Sequence, residues 1–270
     1  MTLAGNNCYK PSIMTHSTPR VEIIGVTGLP EIRDGDALGK MLFEVAEAQG
    51  TPISDGDIIL VTQKIVSKAE GRTVDLRTVQ PSERARQLAC ESGRDPRLLE
   101  IVLRESTAVV RMDKSRGVLI TETKHGFVCA NAGVDTSNVP GIETVSLLPE
   151  DPDGSARSIL QELCEMTGGA KVAVILTDTF GRAWRNGHVN FAIGVAGMDP
   201  LLDYRGTRDV LGHELSATRI AVADELAAAS ELVMGKSDAV PVAIVRGYRY
   251  DVSSGGVSTL IRERSFDLFR

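Results

Sequence analysis

VAVILTDTFGR, residues 172–182, is the stretch that best predicts the fold of this 270-residue chain. Residues 172–177 give the strongest buried-strand pattern, because a run of apolar side chains is bounded by polar ones. A carboxylate at Asp178 and a hydroxyl at Thr179 follow directly. In open α/β sheets, ligands bind beyond the carboxyl ends of the strands. The stretch therefore predicts a central strand with a candidate binding site at its end.

The sequence on either side interleaves strands and helices without a strict βαβ repeat. Shorter apolar runs predict further strands at 21–25, 58–62, 108–112, 118–122, 127–131 and 240–245. Apolar residues at helical spacing predict helices at 36–49, 81–92, 96–105, 155–166 and 214–234. The pattern therefore predicts a fold with both sheets and helices but no regular βαβ architecture.

The predicted domain organisation is simple. Residues 1–20 lack the apolar core of a signal peptide and are expected to be a disordered leader. Residues 21–250 form the main domain, and 251–270 form a C-terminal tail. The Pro- and Gly-containing stretch 139–154 is the candidate crossover between two lobes.

Composition limits the function classes. The net charge of −6 gives no electrostatic footprint for nucleic acid. No apolar run approaches the roughly 20 residues of a membrane helix. Four cysteines without a CxxC pair are expected to be free thiols, as in the reducing cytoplasm. A cytoplasmic protein that binds a small molecule is the expectation.

The polar segment 177–187 carries the first candidate chemistry. Asp178 and Thr179 offer hard oxygen ligands that suit Mg²⁺ or Mn²⁺. Arg182, Arg185 and His188 could bind a phosphorylated substrate. The alternative is a polar turn in which Asp178 caps the backbone.

Two other polar segments follow predicted strands. In 131–138, Asp135 could be a second carboxylate on the same metal and Asn138 could contact a nucleotide; an ordinary Asx turn is the alternative. In 62–71, Ser67 and Lys68 could meet phosphates, although a lone lysine is more often solvated. The GxxxxGK[ST] and GxGxxG patterns are both missing, so this segment is neither a P-loop nor a Rossmann turn.

Taken in order, short motifs spread over about 21–247 resemble the glutamyl ligase family of the deazaflavin coenzyme F420. The matching pieces are GLPEI (28–32), SKAEG (67–71), PSERA (81–85), CANAGVDTSNV (129–139), DPDGSA (151–156), ILTDTFGRAWRNG (175–187), FAIGVAG (191–197), D-x-R-G from Asp203, ADELAAA (223–229) and VMG (233–235). Each piece alone is unspecific, but their common order is very specific.

The resemblance implies a GTP-dependent ligase that adds L-glutamate to the coenzyme precursor F420-0. GTP would phosphorylate the precursor's carboxylate, and the glutamate amine would attack the acyl phosphate, giving F420-1, GDP and phosphate. Longer glutamate tails are possible in the family. It also implies an α+β fold with mixed sheets and flanking helices, and an intertwined homodimer in which each chain has two lobes. Mg²⁺ or Mn²⁺ would be required, and K⁺ would help. Because the chain stops at Arg270, it resembles the stand-alone form of the family.

The resemblance also implies roles for individual residues. The catalytic residues would be Asp135, Asp178 and Arg182, and the metal ligands Asp135, Asp178 and Thr179. The nucleotide would be bound by Leu29, Pro30, Glu31, Ile32, Gln63, Lys68, Asn138, Met234, Gly235 and Lys236. The segment 234–241 would close over the nucleotide.

One position departs from the family pattern, which carries an acidic or amide side chain near metal directly after Met234-Gly235. This chain has Lys236, and a charged ammonium cannot ligate a metal. Asp238 could take its place, one metal could be bound differently, or Lys236 could contact phosphate. Two other functions also remain open: a metal-dependent phosphohydrolase, and a catalytically silent homologue that binds nucleotide or deazaflavin.

Overall fold

The computed structural model describes residues 18–137, 141 and 143–268. Its strands are β1 (Glu22–Val26), β2 (Ile58–Thr62), β3 (Thr73–Asp75), β4 (Ser106–Asp113), β5 (Val118–Thr123), β6 (Val128–Ala130), β7 (Thr144–Ser146), β8 (Ala173–Arg182), β9 (Arg185–Ala196), β10 (Leu202–Asp203), β11 (Arg219–Ile220) and β12 (Val242–Arg246). Its α-helices are α1 (Leu38–Gln49), α2 (Gln63–Ala69), α3 (Glu83–Ser92), α4 (Pro96–Arg104), α5 (Pro152–Met166) and α6 (Val222–Met234). The α+β class with mixed sheets and flanking helices is confirmed.

The central sheet has the strand order β1-β12-β2-β8-β9. β2 and β8 pair in parallel, and the other neighbours pair antiparallel. Strands β2 and β8 are apolar without alternation because both faces of the sheet are covered. The stretch that opened the sequence analysis therefore lies inside this sheet, as predicted.

The core consists of two layers, one on each face of the central sheet. Ile59 and Leu176 pack on the face covered by α1 and α5, whereas Ile58 and Ile175 pack against α6 on the other. Since these side chains are fully buried, truncating one of them to alanine is expected to cost about 2–5 kcal/mol. This packing holds the carboxyl end of β8 in a fixed position.

The structure also contains sheets smaller than the central one. Strands β4, β5 and β6 form one antiparallel sheet, and a third apolar cluster packs β5 with α3 and α4. Strand β3 pairs with β7, and β10 pairs with β11. The β3–β7 pair matters for the site, because Asp135 adds a further bridge to Ser146 at its end.

Local chemistry explains why most helices were predictable. Gly50 and Gly93 end α1 and α3 with φ of 80° and 70°, in the left-handed region that glycine adopts without strain. The hydroxyl of Ser82 caps α3 by accepting the N–H of Ala85. Pro152 stands in the first turn of α5, so that helix begins three residues before the predicted start at 155.

Two secondary-structure predictions were wrong. The helix expected over 214–234 begins only at Val222, because Arg219 and Ile220 pair with β10 and extend the backbone. The polar segment 62–71, for which no helix was predicted, is mostly helix α2, which buries Ile65 and Val66. A seven-residue helix leaves too short a pattern to distinguish from a loop.

Some domain predictions lie outside what the structure describes. Residues 1–17 of the leader and residues 139, 140 and 142 of the crossover are outside the described residues. The two-lobed arrangement, the domain bounds and the homodimer therefore stay predictions. In the described part of the C-terminal tail, Val257 is buried and its N–H donates to the Asp153 carboxylate. Among the described helices, none has the length and apolar character needed to cross a bilayer.

Candidate active site

An open cleft of about 990 Å³ lies at the carboxyl end of β2, beside Asp178 and Thr179 in the middle of β8. It brings together most of the residues that the sequence nominated. Those lining it are Leu29, Pro30, Glu31, Ile32, Gln63, Lys68, Asp135, Asp178, Thr179, Met234, Gly235 and Lys236. The three predicted polar segments and the segment near Lys236 therefore meet in one place.

Strand β8 extends beyond the end of its neighbour β2. The polar residues of β8 beyond Thr177 therefore have no partner strand on that side among the described residues. β2 stops at Thr62, which pairs with Thr177, while β8 continues to Arg182 with β9 as its partner. Asp178 and Thr179 thus lie within a strand rather than in a turn, and the alternative of a polar turn is wrong. Successive strand residues face opposite sides, so these two side chains diverge.

Asp178 points to the side of the sheet where Asp135 and Lys64 lie. The pKa of Asp178 is raised to about 7, mainly by burial and to a smaller extent by the negative charge of Asp135. The N–H of Thr179 and the charges of Lys64 and Lys236 lower that pKa in part. Among the described residues Asp178 forms no ion pair, so its carboxylate is poorly compensated.

Asp135 lies in the same cleft but is firmly paired. Lys64 Nζ lies 2.8 Å from Asp135 Oδ2, and the N–H of Ser137 donates to Oδ1 at 2.8 Å. The hydroxyl of Ser137 donates to Oδ2 at 2.9 Å. Burial alone would raise the pKa of Asp135, but Lys64 and Ser137 together bring it below its usual value. Backbone bonds to Ser146 fix the position of this carboxylate.

Thr179 faces the opposite side, where it joins a closed ring of hydrogen bonds. Lys236 Nζ donates to Thr179 Oγ1 at 2.6 Å, and that hydroxyl donates to Asn190 Oδ1 at 2.7 Å. Asn190 Nδ2 donates to Glu231 Oε2 at 2.9 Å. Glu231 Oε1 closes the ring, 3.1 Å from Lys236 Nζ. The cross-strand pairing of Thr179 with Asn190 positions the two residues side by side.

Leu29–Ile32, Gln63 and Lys68, which were predicted to bind nucleotide, form another end of the cleft, whereas Lys236 belongs to the ring with Thr179. Lys68 pairs with Glu31 at 2.6 Å between Nζ and Oε1, and its side chain is largely buried. Gln63 is buried, and its Oε1 accepts the hydroxyl of Ser67. Ser67 does not reach phosphate as predicted, because it is fully buried and also donates to the Leu147 carbonyl. Lysine charge and the Leu29–Ile32 backbone thus line this end.

Several predicted contacts, Arg185 and His188 among them, are not among the described residues that line the cleft. Arg182, nominated as catalytic, does not line it; its guanidinium donates to the Asn186 carbonyl within the β8–β9 hairpin. The side chain turns back along the hairpin because β8 continues past the cleft. Asp238 is also absent from the lining, and its carboxylate lies against Gly235. Asn138 lies outside the described residues.

Sequence reasoning missed three residues of the cleft: Lys64, Asn190 and Glu231. Lys64 could have been found, since it lies four residues before Lys68 and the two share a face of α2. Asn190 and Glu231 carried no sequence signal. They enter the site through the register of β9 against β8 and the packing of α6 on β9.

The donor set fits a hard divalent cation. Asp135 and Asp178 supply carboxylate oxygens, and the raised pKa of Asp178 indicates a carboxylate that lacks a compensating positive charge. Within the described part of the chain, no group of three or more His, Cys, Asp or Glu side chains converges as a metal cage. Mg²⁺ or Mn²⁺ commonly takes one or two protein carboxylates and completes its shell with water and phosphate.

A second cavity of about 310 Å³ lies on the same hairpin and contains none of the predicted site residues. Phe127, Phe180 and Phe191 line it, with neighbouring ring centroids 5.8–6.2 Å apart. Asp224 also lines it, and burial raises the pKa of its carboxyl group. These aromatic contacts stiffen β8 and β9 next to the cleft.

Comparison with known proteins gives a consistent result. A family model described as F420-0:Gamma-glutamyl ligase matches residues 27–247. A protein of Methanothermobacter thermautotrophicus named coenzyme F420:L-glutamate ligase is 47% identical over 254 residues, covering 93% of this chain and 99% of the relative. Proteins with the same name from Methanocaldococcus jannaschii and Methanopyrus kandleri are 41% and 43% identical. They cover 93% and 89% of this chain, and 97% and 94% of their own lengths.

Proposed function

The chain belongs to the F420-0:gamma-glutamyl ligase family, and from that membership we propose that it joins L-glutamate to coenzyme F420-0 at the expense of GTP. It is an enzyme of the ligase class that forms carbon–nitrogen bonds. The relatives' names supply F420 and L-glutamate as substrates. GTP, the acyl phosphate and the metal are the parts that this proposal adds.

The observation that carries the proposal is that one cleft contains both carboxylates and lysines. Asp135 and Asp178 supply oxygens for a divalent cation, while Lys64, Lys68 and Lys236 supply positive charge for phosphate groups. A site for an uncharged substrate would have no use for this combination. Phosphoryl transfer needs both, since its catalysis depends on positioning and on neutralising phosphate charge.

The chemical problem is the poor reactivity of a carboxylate towards an amine. In the proposed first step, a carboxylate oxygen of F420-0 attacks the γ-phosphorus of GTP, and the bond to the β-phosphate oxygen breaks, releasing GDP. In the second step, the glutamate amine attacks the carbonyl carbon of the acyl phosphate. The carbon–oxygen bond to phosphate breaks, the nitrogen loses a proton, and an amide and free phosphate result.

The residues of the cleft have distinct roles in this scheme. Asp135 and Asp178 would hold Mg²⁺ or Mn²⁺, which when bound neutralises phosphate charge and orients the phosphate oxygens. Lys68 lines the cleft together with Leu29–Ile32 and would bind phosphate of the nucleotide. Lys64 pairs with Asp135 in the same cleft and would bind the transferred phosphate. Each charge-assisted contact to phosphate contributes about 1.5–3 kcal/mol.

The proposal also covers the compartment, the oligomeric state, the role of K⁺ and the number of glutamates added. We expect a cytoplasmic homodimer, assisted by K⁺, that can add one or more glutamates. These expectations follow from the family resemblance and are checked by light scattering, by K⁺ titration of the rate, and by mass spectrometry of the product.

The decisive experiment supplies the purified protein with GTP, MnCl₂, L-glutamate and F420-0. We expect GDP release that depends on glutamate, together with a product heavier by one glutamyl unit. Replacing glutamate by hydroxylamine should trap the acyl phosphate as a hydroxamate. GDP release that needs neither F420-0 nor glutamate would identify a phosphohydrolase and overturn the proposal. Tight binding without turnover would identify a silent homologue, and ATP in place of GTP is the control for the nucleotide.

A further inference from the structure

The ammonium group of Lys236 completes the ring that contains Thr179, Asn190 and Glu231. It contacts the Thr179 hydroxyl at 2.6 Å and the Glu231 carboxylate at 3.1 Å. Although the Lys236 side chain is 63% exposed, its charged end is bonded on the inner side of the cleft. The positive charge therefore has a defined position.

The ring is organised to receive a cation at that position. Asn190 is buried, with its amide donating to Glu231 and its carbonyl accepting from Thr179. The proton of the Thr179 hydroxyl is thereby committed to Asn190, so that its lone pairs face Lys236. The second oxygen of Glu231 faces the same point. Two oxygens thus converge on one positive charge.

The backbone delivers this lysine from the end of α6. Gly235 follows the helix with φ of 60°, a conformation that other residues adopt only with strain. A Cβ there would also clash with Asp238 Oδ2. The turn at Gly235 brings Lys236 back to Glu231, which lies in the last turn of α6.

We propose that Lys236 is a built-in cation which fills the Thr179–Asn190–Glu231 side of the cleft, so that divalent metal binds only on the Asp135–Asp178 side. The inference rests on the metal-dependent reaction proposed above. A second divalent ion at Glu231 would be repelled by the ammonium group and would have to displace it. Thr179 then serves to hold Lys236, and its hydroxyl is not a metal ligand.

The test counts bound Mn²⁺ per chain by equilibrium dialysis with GDP present, with electron paramagnetic resonance of free Mn²⁺ as a second reading. We expect a single ion on the unmodified protein and a second ion on Lys236→Gln. In the double variant Lys236→Gln/Glu231→Gln the gained ion should be lost, because its carboxylate ligand is gone. Lys236→Arg keeps the charge and should keep the count of the unmodified protein.

Lys114→Gln is the control, because it removes the same charge from an ion pair with Glu91 outside the cleft. Its Mn²⁺ count should not change. A second ion already present on the unmodified protein, or no gain in Lys236→Gln, would overturn the inference. Weaker GDP binding by Lys236→Gln without a change in the count would assign the lysine to phosphate and would also overturn it. Since the count requires no turnover, it stands or falls separately from the ligase reaction.

Discussion

Asp135 and Asp178 line the same cleft, but their surroundings move their pKa values in opposite directions. Asp135 follows a short strand, in a loop where Lys64 and Ser137 bond both of its oxygens. Asp178 lies within β8, where burial dominates and no ion pair compensates it among the described residues. Asp135 is therefore stabilised in its charged form, whereas Asp178 would lose its proton when a cation binds.

The difference indicates how one residue type can serve two roles in a single site. Asp135 is preorganised and keeps its negative charge at neutral pH. Asp178 titrates near neutrality in the absence of metal, since the pKa of its carboxyl group is about 7. A cation bound between the two would remove the repulsion that helps to raise the pKa of Asp178.

The largest expected effect comes from removing the charge of Asp178. Asp178→Asn should lower kcat by about 1000-fold, because an ion on this side would lose several kcal/mol of attraction. Steady-state GDP release with F420-0 and glutamate measures this loss. Asp113→Asn, at the last residue of β4 and outside the cleft, is the control and should keep normal turnover. Near-normal turnover of Asp178→Asn would remove Asp178 from the site.

The second-largest expected effect is a change in the free energy of unfolding with pH. In metal-free protein the pKa of Asp178 is about 7, against 3.8 for an ordinary aspartate, so the folded state holds a proton that the unfolded chain releases. The resulting contribution to stability is present below pH 4 and is lost as the pH rises through about 7. We expect it to amount to about 2–4 kcal/mol.

Urea unfolding in EDTA between pH 4.5 and 7.5 measures this contribution as the difference between the unmodified protein and Asp178→Asn. The unmodified protein should lose more of its free energy of unfolding as the pH rises, because asparagine does not titrate. Parallel curves for the two proteins would show that Asp178 has an ordinary pKa, and the contrast with Asp135 would then disappear.

The smallest expected effect comes from replacing Lys64, which pairs with Asp135. Lys64→Met should raise the pKa of Asp135 but leave this carboxylate ionised at neutral pH. The lysine ammonium would then no longer compete with Mn²⁺ for Oδ2. Mn²⁺ should therefore bind about 3- to 10-fold more tightly in calorimetry at pH 7.5. Lys68→Met removes an equal charge from Glu31 and should leave Mn²⁺ affinity unchanged. Weaker Mn²⁺ binding by Lys64→Met would indicate that Lys64 supports the metal rather than competing with it.

The amino-acid sequence by itself determined the α+β class, most helices, and the family to which the chain belongs. Local signals sufficed for this: the buried run at 172–177, the glycines after α1 and α3, and short motifs in a common order. Those motifs also nominated Asp135, Asp178 and Lys236, which the structure brings into one cleft.

Tertiary structure alone decided what each of these residues contacts. Asn190 meets Thr179 through strand register, and Glu231 reaches Asn190 because α6 packs on β9. Arg182 was a reasonable nominee by proximity in sequence, but the continuation of β8 carries its side chain away from the cleft. The opposite pKa shifts of Asp135 and Asp178 likewise depend on burial and on partners distant along the chain. Sequence spacing encodes local conformation, whereas burial, register and charge pairing arise only when distant segments pack together.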